Sequence, residues 1–205
     1  MELSVKQARV AHWLNVGGRE AALVQRCAAQ DDAAYAELVA EHQRMVLQLA
    51  LNLLGDHDEA LDLSQEVFLR VFRTIHRFRG QSSLRTWIYR IAINQARNRH
   101  RFWCRRHRAD QVSLDEHIAA HGDFQAACND TPDRMFAQKE LGERLQSALD
   151  HLPFEYRTAI VLREIDGLTY EEIAFSLNMH PATVKSRLAR ARKMLREELR
   201  EARAL

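Results

Sequence analysis

Between Ser82 and Trp103 the chain reads "SSLRTWIYRIAINQARNRHRFW", with arginines at 85, 90, 97, 99 and 101 set among Trp87, Tyr89, Asn94 and Trp103. Arginines alone would suit a polyanion. Each phosphate they neutralise releases counterions, and affinity falls with salt at a slope of roughly −0.9 per contact. Cations do not account for the rings. Stacking a nucleic-acid base on an aromatic side chain is worth about 1–3 kcal/mol. Extruding that base from a duplex costs a few kcal/mol, so a stacking ring plus an amide at the base edge can offset it. Asn94 supplies such an amide. Trp87 also lies on the apolar stripe of Leu84, Ile88 and Ile91, so a core role fits its spacing equally well.

A second constellation lies near the C-terminus, in "LTYEEIAFSLNMHPATVKSRLARARKMLR" (Leu168 to Arg196). Thr169 and Glu172 have capping-box spacing, and Ile173, Ala174 and Leu177 give a short helix its inner face. Asn178 tolerates a left-handed turn, and Pro181 is suited to the first position of a new helix with Val184 and Leu188 inward. Helix, tight turn and helix make a helix-turn-helix, whose second member enters a major groove by its N-terminal end. The outward residues there are Ala182, Thr183, Lys185, Ser186, Ala189 and Arg190, with Arg187 beside them. Lysine and arginine donate to guanine edges, and hydroxyls bind phosphate or base.

Metal chemistry is less well supported. Cys104, His107, His117, His121 and Cys128 fall within 25 residues, and His117 and His121 are four apart. Their loop lengths match no zinc pattern, and no acid, base or nucleophile accompanies them. Free thiols, Cys27 included, are the simpler reading. No cofactor, bound metal or catalytic role is expected.

These residues need helices to hold them. The 205 residues include only three prolines and seven glycines, with abundant Ala, Leu, Arg and Glu, which points to an all-α protein. Asp31 or Asp32 caps a helix closing at Gly55; "DHDE" (Asp56 to Glu59) has capping-box form and opens another. The stripe of that second helix is Ala60, Ser64, Val67, Phe68, Val71 and Ile75. "RFRGQSS" (Arg77 to Ser83) breaks the pattern, with Gly80 as its turn residue. Thr131-Pro132 and Leu152-Pro153 open two further helices, the second ending at Asp166-Gly167.

Charge is segregated along this framework. Residues 31–66 hold nine acids against one Arg, a net of −8, and residues 67–109 hold twelve Arg and no acid. Residues 110–133 hold six acids and no base, and residues 185–196 hold six cations and no acid. Two separate cationic surfaces suggest one polyanion touched twice, with nucleic acid the first candidate. The expected organisation is two small helical domains, 20–109 and 133–205, joined by a flexible acidic linker at 110–132 and preceded by a polar extension, 1–19. No run approaches the roughly 20 apolar residues of a membrane span, and the N-terminus lacks the apolar core of a signal peptide, so the chain is expected in the cytoplasm with no direct membrane insertion.

"DEALDLSQEVFLRVFRTIHRFRGQSSLRTWIYRIAINQARNRHR" is similar to region 2 of bacterial sigma factors of the extracytoplasmic-function (ECF) group. "LPFEYRTAIVLREIDGLTYEEIAFSLNMHPATVKSRLARARK" resembles their region 4. The resemblance implies a non-catalytic subunit that binds core RNA polymerase, directs it to promoter DNA and melts the duplex, usually under the control of an anti-sigma factor. Asp62, Gln65, Glu66 and Leu69 stand at the positions that dock core polymerase. Phe78, Arg79, Gly80, Gln81, Ser82, Ser83 and Asn94 match the loop and asparagine that capture a flipped minus-ten base, with Trp87, Tyr89, Arg90 and Arg97 alongside. The helix-turn-helix would read the minus-thirty-five element. The linker reaches at most about 80 Å extended, against two duplex turns of roughly 34–36 Å each between the sites. His180-Pro181-Ala182 departs from the usual Pro-Val-Gly and is closer to the response-regulator type of helix-turn-helix. A stand-alone regulator of that type is the alternative.

Overall fold

Each helix of the N-terminal half begins or ends on a residue with the side chain or backbone freedom to close it. The computed structural model describes residues 18–109, 141–142 and 144–201, and every regular element among them is helical. The acidic linker, His117, His121, Cys128, Thr131-Pro132 and the extension before residue 18 lie outside the described residues.

Helix α1 covers residues 18–28 and seats Leu23 and Cys27 in the core. Asp31, rather than Asp32, caps α2 (Asp32–Leu54), accepting from the amides of Ala33 at 2.9 Å and Ala34 at 3.3 Å. Gly55 closes α2 at φ 75° and donates its N–H to the Leu51 carbonyl at 2.8 Å. A left-handed residue at this position is what glycine supplies without steric cost. Asp56 caps α3 (His57–Thr74) through the Glu59 amide at 2.8 Å. The expected reciprocal half of that box does not form. Glu59 turns its carboxylate to Arg99, 2.6 Å away, because an ion pair with a neighbouring helix is available.

Within α3 the buried residues are Ala60, Leu63, Val67, Phe68 and Val71. Leu63, not the half-buried Ser64, faces inward, which corrects the expected stripe by one position. A 3-10 turn, Ile75–Arg77, ends α3, and residues 78–83 loop round Gly80 at φ 65°. Helix α4 (Leu84–Ala109) starts where Ser83 Oγ accepts the Thr86 amide at 3.1 Å and the Glu20 carboxylate accepts the Leu84 amide. Its buried positions are Leu84, Thr86, Ile88, Tyr89, Ala92, Ile93 and Ala96, whereas Trp87 and Ile91 are half-buried. The buried stripe is wider than expected because α4 is covered from two sides. Helices α2 and α3 pack on one, and the C-terminal half packs on another. Full burial of each large aliphatic side chain here is worth about 1.5–3 kcal/mol.

In the C-terminal half, α5 is described over residues 141–150 apart from 143. Helix α6 (Phe154–Ile160) runs into a π-helical turn, Val161–Ile165, that ends at Asp166 and Gly167 (φ 71°). Thr169 and Glu172 form the expected reciprocal capping box on α7 (Tyr170–Leu177), and Asn178 at φ 53° makes the left-handed turn. Helix α8 (Pro181–Glu201) begins at the expected proline. Val184, Leu188 and Ala191 are buried.

The halves share one apolar core. Arg157 of α6 reaches across, its Nη1 donating to the Leu53 carbonyl at 2.8 Å and its Nη2 to the Asp150 carbonyl at 2.6 Å. The last carbonyls of a helix lack intrahelical partners and carry partial negative charge, so a guanidinium at the end of α2 satisfies both requirements. The Asp150 carboxylate, 3.0 Å away, balances that buried cation. Burial pulls the Arg157 guanidinium below its ordinary value, and Asp150 opposes the change.

Candidate nucleic-acid interface

Three surfaces carry the residues singled out by their chemistry. On α3, Asp62, Gln65 and Glu66 are exposed and Leu69 is 53 % exposed. Their spacing of three and four residues places them on one helical face. Arg99 of α4 approaches the edge of that face and pairs with both Glu59 and Glu66, the latter at 2.7 Å. Glu59, Asp62, Glu66, Arg99, Phe102 and Trp103 line a groove beside it. Trp103 therefore belongs with the acidic helix and is separated from Trp87 and Asn94. Sequence spacing gave no sign of this, because the groove needs α3 and the far end of α4 side by side.

The second surface is the loop before α4 and the exposed side of α4 itself. Phe78 and Trp87 pack ring to ring, centroids 5.4 Å apart and planes at 58°. Trp87 is half-buried at the margin of the core, so packing accounts for only part of its surface. Asn94 is exposed, seven residues or about two turns further along the same side. Arg79 and Gln81 are exposed, and Gly80, Ser82 and Ser83 are half-buried. Ser82 Oγ donates to the Ser83 carbonyl at 3.2 Å, and the Ser83 and Thr86 hydroxyls are 2.8 Å apart. These bonds hold the loop against the first turn of the helix.

Tyr89 differs from the rest: it is 0 % exposed. Arg85 donates to its hydroxyl at 3.3 Å and to the Asp166 carbonyl at 3.4 Å. Burial pushes the Tyr89 hydroxyl up to about 12. Burial likewise pushes the Asp166 carboxyl up to about 6, with Tyr89 and Arg85 opposing. Arg90 is half-buried, its guanidinium 5.3 Å from the centre of the Phe175 ring on α7. Arg97 is half-buried with its Nε enclosed and unbonded.

The third surface is the start of α8. Ala182, Thr183, Lys185, Ser186, Ala189 and Arg190 are all exposed. Arg187 is half-buried and paired with Glu155 at 2.6 Å, so it braces α8 against α6. Lys185 lies 5.7 Å from the Tyr170 ring centre, and Arg192 pairs with Glu164 at 2.7 Å. Thus α8 is fixed on its inner and lateral sides and free on its basic side.

Among the described residues no group of three or more metal-ligating side chains occurs. Cys27 is a buried free thiol and Cys104 an exposed one. No helix of the described residues is long and apolar enough to cross a membrane.

Comparison with known proteins covers both halves. The family model Sigma-70 region 2 matches residues 38–109, and Sigma-70, region 4 matches residues 142–195. The RNA polymerase sigma-H factor of Pseudomonas aeruginosa is 36% identical over 184 residues, 88% of this chain and 95% of its own length. The ECF RNA polymerase sigma-E factor of Escherichia coli is 35% identical over 175 residues, 84% of this chain and 90% of its own. Among solved structures, CnrH in complex with the cytosolic domain of CnrY has a TM-score of 0.64 at 25% identity, covering 89% of this chain and 97% of that one. The sigma factor RpoE of Bartonella quintana, solved with the anti-sigma factor NepR, has a TM-score of 0.64 at 24% identity, covering 81% and 96%, and supports the fold. A stand-alone regulator would account for α7 and α8 and leave the match to region 2 unexplained. With two small helical regions in the order that family has, this chain belongs to the ECF group of RNA polymerase sigma factors.

Proposed function

We propose that this chain docks on core RNA polymerase through α3, opens promoter DNA with α4 and its preceding loop, and holds the upstream duplex with α8. In this reading residues 20–109 act as region 2, residues 110–132 as the acidic linker, and residues 133–205 as region 4. It works in the cytoplasm, has no catalytic activity of its own, and is restrained by an anti-sigma factor.

One observation carries the reading: an exposed Asn94 and a half-buried Trp87 share one side of α4, while an acidic helix face lies on α3. Asp62, Gln65, Glu66 and Leu69 offer a basic partner helix both charge and an apolar centre. Phe78, Trp87 and Asn94 offer an extruded base a ring edge and an amide. Lys185 and Arg190 offer paired DNA two exposed cations on a helix N-terminal half. The CnrH structure, solved with the cytosolic domain of CnrY, supports the expectation of a protein inhibitor.

Run-off transcription with core polymerase on genomic promoter fragments tests the whole reading, with permanganate footprinting of unpaired thymines alongside. Asn94→Ala is expected to reduce thymine reactivity more than closed-complex binding. Lys185→Ala with Arg190→Ala is expected to weaken closed-complex binding and to matter little on a pre-melted template. Equal losses for both sets on that template would refute the division of labour.

A further inference from the structure

Between residues 67 and 109 the chain has no acid of its own. The first amides of a helix lack intrahelical partners, so α4 needs acceptors at its start. One is local: Ser83 Oγ accepts the Thr86 amide at 3.1 Å. The other comes from 64 residues upstream, where Glu20 Oε1 of α1 accepts the Leu84 N–H.

Helix α1 is held so that this carboxylate stays in place. Glu20 lies on the same face as Leu23 and Cys27, which are buried, so turning the helix would expose them. On the outer side Arg26 pairs with Asp31 at 2.9 Å and with Glu37 of α2 at 3.0 Å. Glu20 is half-buried, and burial raises its carboxyl above the ordinary value, with the Leu84 amide opposing and Glu41 reinforcing. A solubilising acid would face water; this one is turned onto an amide. Leu84 is also where the 78–83 loop ends. Within that loop Arg79 and Gln81 are exposed and Gly80 is left-handed. Its ends are fixed, one by the packing of Phe78 on Trp87 and the other by Leu84, buried and bonded to Glu20.

We propose that Glu20 is a positioning residue for strand opening: as acceptor for the Leu84 amide, it sets the 78–83 loop and the first turn of α4 in their base-receiving shape before DNA arrives. The proposal rests on the assignment of α4 and its loop as the strand-opening surface. Glu20 acts through Leu84 and not on the base. A loop already in shape loses less freedom when it binds, so affinity for the open strand is higher.

Holoenzyme assembled from core polymerase and the full chain tests this with Glu20→Ala, Glu20→Gln and Arg26→Ala. The probe is a fluorescent single-stranded oligonucleotide carrying the non-template minus-ten sequence of a promoter active in run-off transcription. Glu20→Ala is expected to weaken strand binding about three- to tenfold, the size of a lost helix cap, and to leave affinity for core polymerase unchanged. Glu20→Gln keeps a carbonyl for the amide and should stay within about twofold of the parent. Arg26→Ala loosens α1 on α2 without touching α4 and should match the parent too. Hydrogen exchange on the free chains reads the positioning without DNA: Glu20→Ala should speed exchange in residues 81–87 and leave α2 and α3 protected. Parent-like exchange or parent-like strand binding in Glu20→Ala overturns the proposal. So does a glutamine variant as weak as the alanine one, an equal loss in Arg26→Ala, or protection lost throughout α2 and α3, each of which makes Glu20 a general brace. The assignment of α4 is judged separately by Asn94→Ala: unchanged strand binding there, with loop exchange altered in Glu20→Ala, refutes the assignment and not the positioning.

Discussion

Asp166→Asn isolates one buried carboxyl at the seam between the halves. Tyr89 and Arg85 of α4 face it. On its own turn, Arg163 is engaged with the Leu168 carbonyl at 2.7 Å and Glu164 with Arg192. Beyond Arg85 stand Glu41 and His42 of α2, His42 lowered chiefly by burial. Asp166 Oδ2 is enclosed without a hydrogen-bond partner. Burial raises the carboxyl from its ordinary 3.8 to about 6, so the folded chain holds this proton more tightly than the unfolded chain does. Its contribution to stability is therefore fully present below pH 4 and is lost as pH rises through 6. A difference of that size corresponds to about 3 kcal/mol if nothing screens it, and to about 1–3 kcal/mol for a group that solvent partly reaches. The asparagine stays uncharged, so the variant should exceed wild type by that amount at pH 7 and match it near pH 4. Urea unfolding of both full-length chains from pH 4 to pH 8 measures the difference, and the His42 contribution, common to both, cancels. A difference that stays flat across the range, or that favours wild type at neutral pH, refutes the reasoning.

Arg157→Met keeps the unbranched stem of the side chain and removes its donors, leaving the Leu53 and Asp150 carbonyls and the Asp150 carboxylate without their cation. Loss of one partner of a buried pair costs about 3–5 kcal/mol, which thermal unfolding should register as a fall of roughly 6–20 °C in Tm for a chain of this size. Gly55→Ala puts a Cβ 3.0 Å from Asp150 Oδ2 at a φ of 75°. That carboxylate is held by Arg157 and by Gln146 at 3.1 Å, so it does not yield freely. The change should cost about 1–2 kcal/mol in urea unfolding.

The parts of this fold that could be read in advance are those whose cause is local. Asp31, Asp56 and Thr169 act on amides two or three residues away, and Gly55, Gly167 and Asn178 act through their own φ angles. Pro181 opens α8 for the same kind of reason. The misplaced features depend on partners far along the chain. Leu63 rather than Ser64 turns inward because the stripe is set by what α3 packs against, and helical spacing allows either at the edge of a face. Glu59 leaves its capping box for Arg99, forty residues on. Tyr89 reads as one ring among several, yet it is buried where α4 meets the turn at Asp166, and nothing near residue 89 announces that turn. Arg157 looks like an ordinary surface cation in "FEYRTAI" and spans 104 residues to reach Leu53. The candidate DNA and polymerase residues were legible as types and spacings. Their neighbours Arg99, Phe102, Thr86 and Phe175 were not, since helix periodicity says which residues share a side and nothing about which helix lies opposite.

Arg157 also makes the meeting of the two halves a matter of hydration. A guanidinium enclosed at the end of α2 keeps its charge out of water, so pulling the halves apart wets a cation and several carbonyls together. Small anions in the buffer, and any phosphate-bearing strand nearby, gain a new attachment point at that instant. The molecule becomes more positive on its outside as it comes apart, and a polyanion rewards the separation that created the charge.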